Sequence, residues 1–162
     1  MTRGTGHRSL VTGHRSLLTN PITPFTSKGK HMDHKKRFLD NDKFALHAGI
    51  ELLEVTSGGA KVKMAVQPFH INGVGLVHGG ALFTLADFAF AAAANSHEEV
   101  AVAINASISY LKAVKSGTLY AEAEEISNSR KISVYSIKIT DEQNELVAMF
   151  QGMAYKKGSG GT

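Results

Sequence analysis

The sequence predicts an α+β fold in which a curved antiparallel sheet of about six strands wraps one long central helix. Three observations predict it. Residues 79–94 are apolar on almost every side, the mark of a helix buried in the middle of a fold. Six other segments read as strands, and the clearest alternate residue by residue, with Val134, Ser136 and Lys138 set against Tyr135, Ile137 and Ile139. Short turns separate most of these segments, which favours antiparallel neighbours. An antiparallel sheet with one apolar face needs a cover, and wrapping it around the helix supplies one.

The elements follow in order. Residues 1–32 are rich in Gly, Ser, Thr and Pro and show neither helical nor strand periodicity, so they are expected to be a disordered leader or a cloning remnant. The fragment TGHRSL occurs twice there, at 5–10 and 12–17, too short to be a structural repeat. A single domain is expected over 33–157. It opens with a short helix near 33–47, with a partial stripe of Phe38, Leu39, Phe44, Ala45 and Leu46, and Gly49 ends it. Strands at 50–56 and 60–66 flank Ser57, Gly58 and Gly59 and read as a hairpin. Pro68 stops that ladder. A loop holding His70, Asn72, Gly73 and Gly75 leads to Gly79 and Gly80, which open the long helix. Four strands follow, at 100–111, 118–127, 131–140 and 146–155, and a flexible tail is expected at 158–162.

Composition narrows the function. The chain has 162 residues and a formal charge of +4. Residues 1–32 hold five basic residues and no acid, so the remainder is at −1 and near neutral. Lys35, Lys36 and Arg37 are the one dense basic cluster, which reads as a solvated helix start rather than a nucleic-acid footprint. There is no cysteine, which excludes disulfides, thiolate metal sites and a cysteine nucleophile and agrees with a cytoplasmic home. No apolar run is long enough to span a bilayer, and no secretory signal is apparent, so neither a membrane nor a nucleic acid is expected as a partner. The histidine spacings fit no zinc pattern. No Gly-x-Ser-x-Gly elbow, dinucleotide fingerprint or phosphate loop is present.

Asp87 is the residue that asks for an explanation. It lies mid-helix with Phe83, Phe90 and Ala91 on its own face, and no Lys or Arg lies on the helix. A buried carboxylate without a partner is costly and has a raised pKa, which makes it a site candidate as readily as a solvent-facing or backbone-bonded acid. At the helix mouth, Gly79 and Gly80 either permit a tight turn or leave open backbone N–H groups at the positive end of the helix dipole. Such amides suit an oxyanion forming on a carbonyl. Asn72 and His78, in the preceding loop, are further candidates, the first as an amide donor and the second near a leaving group or as a loop-shaping residue. Eight residues of helix separate Gly79 from Asp87, about 12 Å of rise. One chain cannot easily bring both to one carbonyl. If both are catalytic, two chains packed antiparallel about a two-fold axis would share the site.

The stretch from His70 to Asp87, HINGVGLVHGGALFTLAD, resembles the signature of hotdog-fold thioesterases of the phenylacetate-pathway, PaaI-like group. The compound spacing N-x5-H-G-G-x6-D carries the likeness, which extends over about residues 44–156 and includes the strand Val102–Leu111 and Gly117. The resemblance implies a curved antiparallel sheet around one helix, homodimers with shared active sites, and pairing of dimers into a homotetramer. It implies hydrolysis of acyl-coenzyme A, including aryl and medium-chain acyl groups, with coenzyme A as part of the substrate and neither cofactor nor metal. By residue, Asn72 and the Gly79 N–H would hold the thioester carbonyl. Asp87 of the partner chain would be general base or nucleophile, and His78 would act near the sulfur or order the loop. Some relatives carry Ser or Thr where Ala103 stands here, so Asn105 or Ser107 is expected to take over the positioning of water. Phe69, Leu82, Phe83 and Phe90 are expected to line an acyl pocket with Gly80, and Lys112, Lys115, Arg130 and Lys131, near turns, either meet the nucleotide end or simply keep the surface soluble. An acyl-CoA dehydratase or a non-catalytic acyl-CoA-binding protein on the same fold are the alternatives.

Overall fold

The computed structural model describes Met1 and residues 41–157. The expected leader at 1–32, the first part of the expected helix at 33–40 and the tail at 158–162 lie outside the described residues. Helix α1 spans Lys43–His47. Asp42 caps it, its Oδ1 accepting from the N–H groups of Phe44 at 3.1 Å and Ala45 at 3.0 Å. Such a cap satisfies amides that the first turn leaves without partners. Gly49, at φ 66°, makes the left-handed exit that leads into β1.

Strands β1 (Ile50–Thr56) and β2 (Gly59–Ala65) form the expected hairpin. Its turn is tighter than expected, because Gly59 already pairs with Thr56. A single 3-10 turn, Pro68–His70, starts the loop before helix α2, Gly79–Ala94. Then come β3 (Val100–Tyr110), β4 (Thr118–Asn128), β5 (Ile132–Thr140) and β6 (Leu146–Lys157). The sheet order is β1-β2-β4-β5-β6-β3, and every neighbouring pair is antiparallel. The expected α+β hotdog architecture is therefore present. One connection departs from the short-turn expectation: residues 111–117 join β3, on the edge beside β6, to β4 in the middle. Helix α2 is the reason, since it crosses the sheet and delivers the chain to the edge opposite β1.

Helix α2 packs against all six strands. Leu85, Ala86, Phe88, Ala89, Phe90, Ala92 and Ala93 are buried there against Val62, Met64, Leu119, Ala121, Ile137, Ile139 and Phe150. Small residues let the sheet come close: Gly152 lies directly under the Phe90 ring. Bulges at Leu53, Ile104 and Ile126 bend β1, β3 and β4, which helps the sheet curve around the helix. The helix ends at Asn95, whose amide bonds the carbonyls of Ala91 and Ala101 and the N–H of Ala101. Beyond it, Glu125 Oε2 accepts from the Tyr135 hydroxyl and sits 2.7 Å from His97 Nε2, tying the exit loop to β4 and β5. Burial first, and then the Glu125 carboxylate, push the Tyr135 phenol up to about 12, so it stays a donor.

Candidate active site

The mouth of α2 is built by its own cap. His78 has extended backbone angles, and its Nδ1 accepts the Gly80 N–H at 2.8 Å. That corrects the expectation that both glycines offer open amides, because the Gly80 N–H is already engaged. The Gly79 N–H has no acceptor among the described residues. Gly79 is also held from outside, its carbonyl accepting the Tyr110 hydroxyl at 3.0 Å. A Cβ at Gly79 would meet the Tyr110 ring at 3.0 Å, and one at Gly80 would meet His78 Nδ1 at 3.0 Å. Glycine lets both side chains lie closer to the backbone than a Cβ would ordinarily allow.

Asn72 organises the loop in front of that mouth. Its Oδ1 accepts the N–H groups of Val74 at 3.0 Å and Leu76 at 3.1 Å. With the oxygen fixed, the Nδ2 side of the amide has no partner among the described residues and remains a donor for a ligand. The loop closes on itself through Asn72 N–H to Leu76 O at 2.7 Å and His78 N–H to His70 O at 2.7 Å. An Ile71–Val77 bridge lies between them, and Val77 N–H reaches Val114 O at 2.8 Å.

Asp87 is partly buried in the middle of α2 and makes no hydrogen bond or ion pair among the described residues. Burial raises its carboxyl above the usual range, and the Asp42 carboxylate at the start of α1 raises it further. Asp87 sits on the least buried line of the helix, with Gly80, Phe83, Thr84 and Ala91, while the other sides are packed on the sheet. The helix is therefore apolar all round, as its sequence indicates, but one stripe is left incompletely covered.

The remaining expected residues divide. Phe83 is partly buried, its ring edge-on to Phe150 at 5.2 Å. Phe69 is 62% exposed and stacks edge-on to His70 at 4.2 Å. Leu82 and Phe90, expected on the pocket wall, are core residues in the single chain, and Phe90 is 1% exposed between Tyr135, Phe150 and Gly152. Asn105 and Ser107 do share a face, but the Ile104 bulge turns them away from Ala103. Ala103 pairs with Ala154 on the helix side, whereas Asn105 pairs with Met153 and Ser107 with Gln151 on the outer side. Lys112 is taken up by Asp141 and Glu145. Arg130 and Lys131 are exposed in the β4–β5 turn, with the Lys131 ammonium 5.4 Å from the Tyr155 ring. That turn adjoins the C-terminal end of β6, which pairs with the start of β3, so it lies near the far end of α2 from Gly79.

Sequence reasoning missed Tyr110 on Gly79 and the like charge of Asp42 on Asp87, and it placed His70 in the loop without giving it a role. Asp42 carried a signal, since Asp directly before an apolar helical turn is an N-cap pattern. The other two depend on contacts between segments distant in sequence.

Comparison with known proteins identifies the family of the chain. The family model described as the thioesterase superfamily matches residues 74–148. A protein of Archaeoglobus fulgidus is 39% identical over 137 residues, covering 82% of this chain and 89% of its own. The acyl-coenzyme A thioesterase PaaI of Escherichia coli is 38% identical over 120 residues, 74% of this chain and 86% of its own. The solved structure of the Escherichia coli PaaI protein, from the phenylacetic acid degradation operon, superposes with a TM-score of 0.73 at 36% identity, over 77% of this chain and 95% of that one. The fold and a large part of the sequence are thus shared with these relatives, and the chain belongs to the thioesterase superfamily as a hotdog-fold thioester hydrolase related to the PaaI-type enzymes.

Proposed function

We propose that the chain hydrolyses aryl or medium-chain acyl-coenzyme A thioesters to the free acid and coenzyme A, in sites shared by two copies of itself. The observation that carries the reading is Asp87: an unpaired, partly buried carboxylate on the uncovered stripe of α2, about 12 Å of helix rise from the free Gly79 amide. Edge strand β3 supports the two-fold arrangement. It is 11 residues long with Val100, Val102, Ile104 and Tyr110 exposed, and an open apolar edge favours pairing with another chain. Pairing two β3 edges antiparallel sets each helix mouth opposite the other chain's Asp87. It also brings Arg130 and Lys131 toward the partner's mouth, where the nucleotide end of coenzyme A would lie. Dimers pairing into a tetramer is part of the same proposal.

In this reading Asn72 Nδ2 and the Gly79 N–H donate to the thioester oxygen as negative charge develops there. The partner's Asp87 takes a proton from water while the water oxygen bonds to the carbonyl carbon. The carbon–sulfur bond then breaks, and the thiolate leaves and is protonated. A raised carboxyl pKa suits Asp87 to this base role. His78 acts by capping the helix and fixing Gly80. Phe69 and Phe83 offer ring edges and faces to an aryl group. The phenylacetic acid degradation operon of the Escherichia coli relative supports the aryl choice.

The test is a panel of phenylacetyl, benzoyl, acetyl, octanoyl and palmitoyl thioesters of coenzyme A, read by released thiol. Aryl or medium-chain turnover that vanishes in Asp87→Asn is the expected result. Full turnover by that variant would sink the role of Asp87. Binding of acyl-coenzyme A without turnover by the wild type would favour a non-catalytic protein. Single turnover in ¹⁸O-water tests for direct attack, since label in the Asp87 carboxylate would reveal a mixed anhydride opened at the aspartyl carbonyl.

A further inference from the structure

We propose that His70 is a positioning residue, which holds the carbonyl-binding loop by clamping its neck to the end of α1. The inference rests on the reaction proposed above, but its geometry stands without it. His70 is 4% exposed, and no other histidine among the described residues is buried. It is also fully engaged. Nδ1 accepts the Gln67 N–H at 3.0 Å, and Nε2 lies 3.1 Å from the Ala48 carbonyl, to which it donates. The backbone carbonyl of His70 accepts the His78 N–H at 2.7 Å. One residue therefore joins three places: the 3-10 turn on its own side, the exit of α1, and the cap residue of α2.

The position of that junction gives it a role. Residues 71–77 form a closed loop between His70 and His78, with Asn72 just inside one end and Gly79 just outside the other. The two groups assigned to the carbonyl oxygen thus sit on opposite arms of one neck. If the neck opens or slides, Asn72 Nδ2 and the Gly79 N–H no longer converge. Misplacement by about 1 Å costs on the order of a hundredfold in rate, because such donors act only at their set geometry. The clamp needs a neutral ring with the proton on Nε2. A second proton on Nδ1 would face the Gln67 N–H donor to donor. No charged side chain is among the influences on the ring, and burial, opposed by the Ala48 bond, favours the neutral form. His47, on α1, reaches it only through the Phe69 ring, 5.9 Å from His47 and 4.2 Å from His70.

The test compares wild type, His70→Asn and His70→Ala in the full chain, with Val55→Ala, which packs on the core beside the β1–β2 turn at the other end of the sheet, as a mildly destabilised control. Asn places an oxygen near the Nδ1 position and keeps the Gln67 bond, but it does not reach Ala48. Steady-state hydrolysis should show kcat falling about tenfold in His70→Asn and about a hundredfold in His70→Ala, with KM within about threefold and the control unchanged. Amide hydrogen exchange is measured alongside. Val74, Leu76 and His78 should exchange at least tenfold faster in both His70 variants, while Ile137 in β5 keeps its wild-type rate. Wild-type kcat in a folded His70→Ala overturns the proposal, as does loop protection unchanged in His70→Asn. If His70→Ala does not fold, His70→Asn decides. A wild type without thioester turnover would defeat the proposed reaction, and the exchange rates would still decide whether His70 holds the loop.

Discussion

Adding one methyl group at Gly152 tests whether the packing that seats α2 also sets its chemistry. A Cβ built there meets three atoms of the Phe90 ring at 2.8, 2.8 and 2.9 Å. Comfortable carbon contacts lie at about 3.5–4.0 Å, so ring and strand must separate by roughly 0.7 Å or more. Little room exists for that. Phe90 is 1% exposed, with Tyr135 at 5.4 Å and Phe150 at 6.1 Å between ring centroids. Overpacking of this kind costs about 1–3 kcal/mol. Alanine recovers about 0.5–1 kcal/mol of the chain entropy that glycine loses on folding. The net expectation for Gly152→Ala is a loss of about 0.5–2 kcal/mol, or a few degrees in Tm for a chain of this length. Because Asp87 lies three residues before Phe90 on the same helix, a retreating ring carries the carboxylate with it, and kcat should fall several-fold. Thermal melts and thiol-release kinetics measure both. Pairing the change with Phe90→Leu should relieve part of the strain and show as a favourable coupling in a double-mutant cycle. A Gly152→Ala protein that melts at or above wild type would refute the claim that ring and strand are in limiting contact.

The Asp87→Asn variant should lose about 10²–10⁴ in kcat yet melt higher at neutral pH by about 0.5–2 kcal/mol, since it removes a partly buried charge with no cation beside it. Lower stability would mean that the carboxylate has a structural partner. Asp42→Asn keeps an N-cap oxygen but removes the like charge that helps hold Asp87 protonated, so the acid limb of kcat/KM should move to lower pH. An unmoved limb would break the link between the two carboxylates. His70 titrates below its ordinary value of 6.5 because it is buried. The unfolded chain then binds the proton first, so this contribution to stability is whole above about 6.5 and is lost as the pH falls. Melts taken from pH 7.5 down to 5 should drop more steeply for wild type than for His70→Asn.

Much of the fold is legible because its signals are local. Alternation placed β2 and β5 to within a residue, and the apolar run from Gly79 to Ala94 marked α2 at both ends. The position of Asp87 on that helix was equally open to reading. What local signals lack is the partner of each strand and the state of each amide. Residues 100–104, all Val, Ala and Ile, carry no polar contrast, so nothing in them announces the bulge at Ile104 that turns Asn105 outward. The Gly80 amide looked open because glycine has no side chain, but an imidazole two residues back reaches it. Phe90 was expected at a pocket because it shares a face with Asp87 on a helical wheel. The ring instead fills the space that Gly152, sixty-two residues later, leaves empty.

The rigidity of α2 makes the two-chain site open to a decisive experiment. Within one helix backbone hydrogen bonds hold Gly79 and Asp87 about 12 Å of rise apart, so under the proposal the amide and the carboxylate that meet one carbonyl come from different chains. A chain carrying Asp87→Asn retains a good carbonyl-binding mouth, and a chain carrying Asn72→Ala retains a good acid. Each homodimer has two defective sites. In the mixed dimer one site combines the intact mouth of the first chain with the partner's Asp87, and the other site combines both defects. Random re-association makes half the dimers mixed with one working site of two, so mixing equal amounts of the inactive variants should restore about a quarter of wild-type activity. Restoration should track the exchange of subunits and be absent when two preparations of the same variant are mixed. If mixed dimers form, as mass spectrometry of differently tagged chains would report, and no activity returns, each chain carries its own complete site and Asp87 does not work across the two-fold axis.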